Sequence, residues 1–228
     1  MKTVLLASAA VFALTGIASA ATPAVSGKAA HPKHVYVLPH RGATTLWDQS
    51  AGTNGIAIVS QNFEATFSIY DANGADDVPA GATAGTINEI IANGTYFNGS
   101  GPATSFDVIV YKKIKAKKGK VKAKIAGTCS AQGYTDLSGF GYPDIKLSGC
   151  KGKTAEKPKK TWVAVIANLA FSAGGEWGWN TNNTVNGNAS LWQNPGGGFS
   201  STGCTSYNTT TTCIPSGEGG DFAYAILQ

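Results

Sequence analysis

The stretch that decides the fold is Thr161–Phe199, TWVAVIANLAFSAGGEWGWNTNNTVNGNASLWQNPGGGF. It opens on the most apolar run of the chain beyond its N-terminus. Trp162, Ala164 and Ile166 alternate there with Val163, Val165, Ala167 and Leu169, so both sets of alternating positions are apolar. Side chains of a strand alternate between its faces, so this pattern predicts a central strand covered on both sides. A Gly- and Asn-rich region follows, holding Trp177, Trp179 and Trp192, three of the five tryptophans. Trp177 and Trp179 are two residues apart and share a face of any strand that carries them.

Before this stretch, short apolar runs alternate with turn residues. Ile56–Ser60, Ala65–Tyr70 and Thr86–Phe97 read as strands, the last against a competing capping-box signal at Thr86–Glu89. Phe106–Tyr111 is a strand apolar on both faces, and Asp221–Leu227 closes the chain as another. Charged residues make up only 14% of the chain, while Gly, Asn, Ser and Thr are abundant. That composition predicts an all-β, antiparallel two-sheet sandwich over residues 45–228.

The N-terminus reads as an export signal over residues 1–20. Lys2 precedes an apolar run from Val4 to Ile17, and Ala18-Ser19-Ala20 is a small-x-small cleavage site. Residues 21–44 read as a flexible leader with a short VYVLP strand, and they hold all three histidines, His31, His34 and His40. The expected address is therefore the periplasm or the extracellular space, with no transmembrane segment in the mature chain. In an oxidising compartment the four cysteines pair. The sequence-local connectivity is taken, Cys129–Cys150 and Cys204–Cys213. A four-thiolate metal site is the rival, and no C-x-x-C spacing supports it.

Charge is strongly segregated. Residues 112–160 carry fourteen lysines against Asp136, Asp144 and Glu156, a net of +11, while the rest of the chain after residue 20 has a net of −7. Within YKKIKAKKGKVKAKI, Lys113, Lys115, Lys117, Lys120, Lys122 and Lys124 alternate with Ile114, Ala116, Val121, Ala123 and Ile125, around a turn at Lys118-Gly119. This is a β-hairpin with one lysine face and one apolar face. It suits an anionic envelope polymer, or else protects a sheet edge from pairing. No aromatic interleaves these lysines, which argues against single-stranded nucleic acid.

The loop DANGADDVPAG at 71–81 clusters Asp71, Asn73, Asp76 and Asp77. It is read as a solvated turn, with a structural calcium site as the alternative because oxygen ligands at such spacing suit that ion. Catalytic inventories are thin. Without a histidine beyond the leader no Ser-His-Asp triad can be held in a rigid shell. A glycosidase needs two opposed carboxylates, for which Glu176 with Asp221 or Glu218 is the best pairing. The positive expectation is non-catalytic binding of polysaccharide. Trp177, Trp192 and Tyr207 would stack on sugar rings beside Glu176, while Trp179 seals the core.

Four segments together, YFNGSGPA at 96–103, TWVAVIANLAF at 161–171, GEWGWN at 175–180 and SLWQNPGGGF at 190–199 ahead of two close cysteines, resemble a β-sandwich domain of secreted bacterial proteins. The resemblance spans about residues 64–228. It implies a jelly-roll-like sandwich with two local disulfides, and it implies no catalytic residue. Ala84-Gly85 departs from the pattern, where an aromatic is expected before Thr86-Ile87.

Overall fold

A computed structural model describes residues 21–28, 43–117, 120–136, 143–147, 160–214 and 220–228, with backbone alone at 115–117, 120–121 and 143–144. The expected signal, the three histidines, Cys150, Glu218 and the lysine cluster at 151–159 lie outside the described residues. In chain order the strands are β1 (Ser26–Lys28), β2 (Thr45–Asp48), β3 (Thr53–Val59), β4 (Gln61–Asn62), β5 (Asn73–Asp77), β6 (Glu89–Ala92), β7 (Gly94–Phe97) and β8 (Ser105–Lys117). They continue with β9 (Lys120–Gln132), β10 (Tyr134–Asp136), β11 (Pro143–Lys146), β12 (Trp162–Asn168), β13 (Glu176–Asn182), β14 (Leu191–Gln193), β15 (Asn208–Thr209) and β16 (Tyr224–Leu227). Two single-turn helices, α1 (Phe171–Gly174) and α2 (Thr210–Cys213), flank β13 and follow β15.

The expected central strand is β12. It lies inside the largest sheet, in the order β15-β14-β5-β12-β8-β9, with β4 added to β12 in parallel. Its partner β8 runs antiparallel along its whole length, from Trp162 opposite Tyr111 to Asn168 opposite Ser105. The two apolar faces go to two cores. Val163, Val165 and Ala167 join the main cluster, while Trp162 and Ala164 meet Ala75, Tyr111, Ile114, Leu191 and Tyr207 on the other side.

A second sheet has the order β1-β3-β13-β7 and a third β10-β11-β6-β16-β2. Residues of all three sheets meet in the main cluster, among them Ile58, Val108, Val165, Trp177, Trp179, Tyr224 and Ile226. Burial of a large apolar side chain contributes roughly 1.5–3 kcal/mol, so this shared interior is the chief force holding the sheets together. Among the described residues no helix is long and apolar enough to cross a membrane. Cys204 and Cys213 form a disulfide beside β14, with Cα atoms 5.7 Å apart. The second expected bridge involves Cys150, which lies outside the described residues.

Three expectations need correction. Ala65–Tyr70 is a 3₁₀ turn rather than a strand. At three residues per turn Phe67 and Tyr70 fall on one side, and they pack against Phe171 and Phe199. Asn73–Asp77, read as a solvated turn, is the buried strand β5, because β12 on one side and β14 on the other satisfy its backbone. Thr86–Phe97 is two strands in different sheets. They break at Asn93, whose N–H donates to the Ala223 carbonyl and whose Nδ2–H donates to the Ser50 carbonyl. The leader is also tied down at its start. Ser26–Lys28 pairs with Ile56–Ile58, and the Val59 N–H donates to the Val25 carbonyl at 3.0 Å.

Candidate functional site

The basic ribbon grows out of the large sheet. β12 accompanies β8 only as far as Tyr111, whereas β9 pairs with β8 out to Lys117 opposite Lys120. Beyond Tyr111 the two strands have only each other as ladder partners among the described residues. A register shift between Tyr111 and Lys113 then sets the rungs. Lys113 stands opposite Lys124, Lys115 opposite Lys122 and Lys117 opposite Lys120, separated by rungs of Ile114–Ala123 and Ala116–Val121. Residues directly opposite on a ladder share a face. Lys112, Lys113, Lys122 and Lys124 are exposed, and no acidic residue occurs between Asp107 and Asp136.

The aromatic site expected around Glu176 is not a surface. Trp177 and Trp192 are 0% exposed and Tyr207 is 4% exposed. Trp177 meets Phe106 edge to face at 5.0 Å, and Trp192 donates its Nε1–H to the Val59 carbonyl at 2.7 Å. Tyr207 shares a hydroxyl–hydroxyl hydrogen bond of 3.1 Å with Tyr111. Trp179 lies flat on Phe222 at 4.4 Å. All three sheets supply apolar neighbours to these rings, so no indole face is left to stack on a sugar. The sugar-stacking roles expected of Trp177, Trp192 and Tyr207 are therefore corrected to core packing.

Glu176 is equally buried. Its Oε1 accepts from the Ala24 N–H at 2.8 Å and its Oε2 from Asn98 Nδ2–H at 2.7 Å. Burial pushes its carboxyl up to about 7, against the pull of both hydrogen bonds. Asp221 is not its mate. Glu176 opens β13, whereas the Asp221 carbonyl accepts the N–H of Asn182 at the far end. At a rise of about 3.3 Å per residue these places are roughly 20 Å apart, beyond the ~5–10 Å that opposed glycosidase carboxylates require.

Asp221 instead joins Asp76 and Asp77, all three fully buried. Asp76 Oδ2 accepts from the Phe222 N–H at 2.7 Å and Gln49 Nε2–H at 3.1 Å. Asp77 accepts from the Asn188 N–H and Nδ2–H, each at 2.9 Å. Asp221 Oδ2 accepts from the Asn186 N–H, while its Oδ1 is buried with no partner. Burial, reinforced by mutual repulsion, holds the Asp76 carboxyl well above the usual carboxylate range. Burial likewise raises Asp77, and it takes Asp221 to about 7. Among the described residues no three Asp, Glu, His or Cys side chains are gathered as a metal site would need. Asp71, Asn73, Asp76 and Asp77, the calcium alternative, do not converge. Asp71 Oδ1 accepts from the Phe63 N–H at 2.7 Å, away from the other carboxylates.

The acid cluster underlies a cleft that the sequence did not announce. Its volume is about 650 Å³, and Trp47, Asp77, Pro79, Val185, Asn186 and Asn188 line it. Trp47 is half-buried on β2, whereas the other four tryptophans are at most 5% exposed. The opposite wall is the Asn-rich loop after β13, tied to Asp77 and Asp221 by the bonds just described. Gly187 is required there: at φ +95° a Cβ would come within 2.7 Å of the Asp77 carboxylate. Only the abundance of Asn at 180–188 hinted at this wall, and nothing in the sequence linked it to Trp47, more than 130 residues away. No family model matches this chain, and comparison with curated proteins and with solved structures returned no match.

Proposed function

We propose that this is an exported, non-catalytic binding protein that holds an acidic polysaccharide of the cell envelope through the β8–β9 ribbon. The observation that carries the reading is the register, in which three lysine–lysine rungs follow one another along the ribbon. Like charges directly opposite on a ladder are destabilising, by roughly 0.2–1 kcal/mol per pair. Protecting a sheet edge calls for charge on the edge strand β9, and does not itself call for a matching lysine opposite each one on β8. A run of such rungs makes sense when a polyanion lies along them and relieves the repulsion. Rungs two residues apart recur about every 6.8 Å, a spacing that an extended charged polymer can follow.

The same reading takes the architecture as a jelly-roll-like sandwich, with the large sheet facing the other two across the shared core. The resemblance to secreted sandwich domains, carried by the sequence motifs, supports it. The Cys204–Cys213 bridge supports an oxidising address outside the cytoplasm.

Chromatography on immobilised polygalacturonate tests the proposal. The protein is expected to be retained at low ionic strength and released by salt, because exposed charges are screened over about 10 Å at 0.1 M. The Lys122→Glu/Lys124→Glu variant is expected to pass through unretained. Elution of that variant at the same salt as the unaltered protein would sink the proposal.

A further inference from the structure

We infer that the cleft between Trp47 and the Val185–Asn188 loop binds an uncharged saccharide, one ring stacked on the Trp47 indole and its hydroxyls hydrogen-bonded to Asn186 and Asn188. The inference is independent of the ribbon and rests on how both walls are built.

One wall is held from behind. Trp47 donates its Nε1–H to Gln49 Oε1 at 2.7 Å, and Gln49 Nε2–H donates in turn to the Phe222 carbonyl at 2.9 Å and to Asp76. The indole therefore keeps its orientation without a ligand. The other wall is fixed by Asp221 on the Asn186 N–H and by Asp77 on Asn188. These bonds use the Asn186 backbone and the Asn188 Nδ2. They leave the Asn186 carboxamide and the Asn188 Oδ1 without a protein partner among the described residues. Two preformed walls thus offer an aromatic face, the apolar Val185 (51% exposed) and unused amide donors and acceptors.

That set matches a hydroxyl-rich ring. Its C–H face packs on an indole, and each hydroxyl both donates and accepts, as a carboxamide does. The volume is within the range of small-ligand clefts. Charge selects further. Asp77 and Asp221 stand directly behind the asparagine wall, and even partly ionised near pH 7 they disfavour an anionic sugar and leave a neutral one unaffected. Their oxygens already accept N–H donors, and a single aromatic wall makes no cage for a cation.

Fluorescence tests the inference cleanly, because Trp162, Trp177, Trp179 and Trp192 are buried and a collisional quencher reaches Trp47. Acrylamide quenching would be measured against neutral glucan, galactan, mannan and chitin oligosaccharides. At least one series is expected to protect Trp47 saturably, at low and high salt alike. Asn186→Ala is expected to weaken that binding about 2- to 10-fold, the value of one lost neutral hydrogen bond. Its side chain has no structural partner, so this variant decides the matter even where Trp47→Ala fails to fold. The Lys122→Glu/Lys124→Glu variant is expected to bind the sugar unchanged, which separates this site from the ribbon. Protection by none of the four series, protection abolished by salt, or an Asn186→Ala variant that binds normally would each overturn the inference.

Discussion

Glu176 anchors two segments that are far from it in sequence, the leader through Ala24 and the β7–β8 connection through Asn98. A carboxylate acting in hydrolysis needs access to substrate, and this one has none. Its role is to accept two hydrogen bonds. Glu176→Ala removes the acceptor of the half-buried Ala24 N–H and of the exposed Asn98 amide, which water can reach, and is expected to cost about 0.5–1.5 kcal/mol for each bond lost. Glu176→Gln keeps an acceptor for Ala24 and removes a charge that burial disfavours, since its carboxyl titrates at about 7. That variant is expected to match the unaltered protein at about pH 4, to gain on it as pH rises from about 4.5, and to hold its full advantage above pH about 7. Urea midpoints at the two pH values check this, and a Gln variant as damaged as the Ala variant in mild alkali would refute it. The sequence marked Glu176 by its place beside Trp177, yet adjacency carries no information about burial. The residue that does reach the surface, Trp47, sits in an ordinary short strand and had no such neighbour to mark it.

The ribbon makes a prediction that separates binding from edge protection. Lys122 stands opposite Lys115, so Lys122→Glu turns a repulsive rung into an attractive one. The expected result is a gain of about 0.2–1 kcal/mol in stability together with weaker retention on polygalacturonate. An element that only blocks edge pairing would keep its function after that change, because Glu blocks pairing as Lys does. Elements with a strict period were legible in the sequence. β12 follows its two apolar faces, where local pattern and final environment agree. The pairing of β8 with β9 is also as the alternation suggests, but its apolar positions part company: Ile114 is buried, whereas Ala123 and Ile125 are exposed. Asn73–Asp77 was not legible, because a strand rich in Asp and Gly forms only when neighbours on both sides supply partners. Ala65–Tyr70 misled for the opposite reason. Its β-forming residues are used for aromatic packing at a spacing of three rather than two.

Among the described residues, the exposed Lys112, Lys113, Lys122 and Lys124 gather on one ribbon, while four acids are enclosed in the interior. Asp76, Asp77, Asp221 and Glu176 are all fully buried, and burial raises every one of them. The groups that face Asp76 are Asp77, Asp221 and the Tyr224 hydroxyl, which donates to the Asp77 carbonyl at 2.7 Å, and none of these is a cation. A carboxyl whose pKa is higher folded than unfolded binds its proton more tightly in the native state. Its contribution is complete at low pH and is lost as pH rises from the unfolded value toward the folded one. Glu176 alone, raised from 4.5 to about 7, sets an effect on the order of 3 kcal/mol. Glu64 works the other way. Some desolvation raises it, but N–H donors from Ser172 and Phe171 hold it below its ordinary value, so its small contribution fades on acidification. The balance favours the buried acids. The melting temperature is therefore expected to peak near pH 4–5 and fall by several degrees towards pH about 7, the reverse of ordinary acid denaturation. Calorimetry across that range tests the claim, with Glu176→Gln and Asp221→Asn each flattening the slope. A melting temperature that climbs between pH about 5 and 7 would refute the claim, because it would require cations beside these carboxylates that are not found there among the described residues.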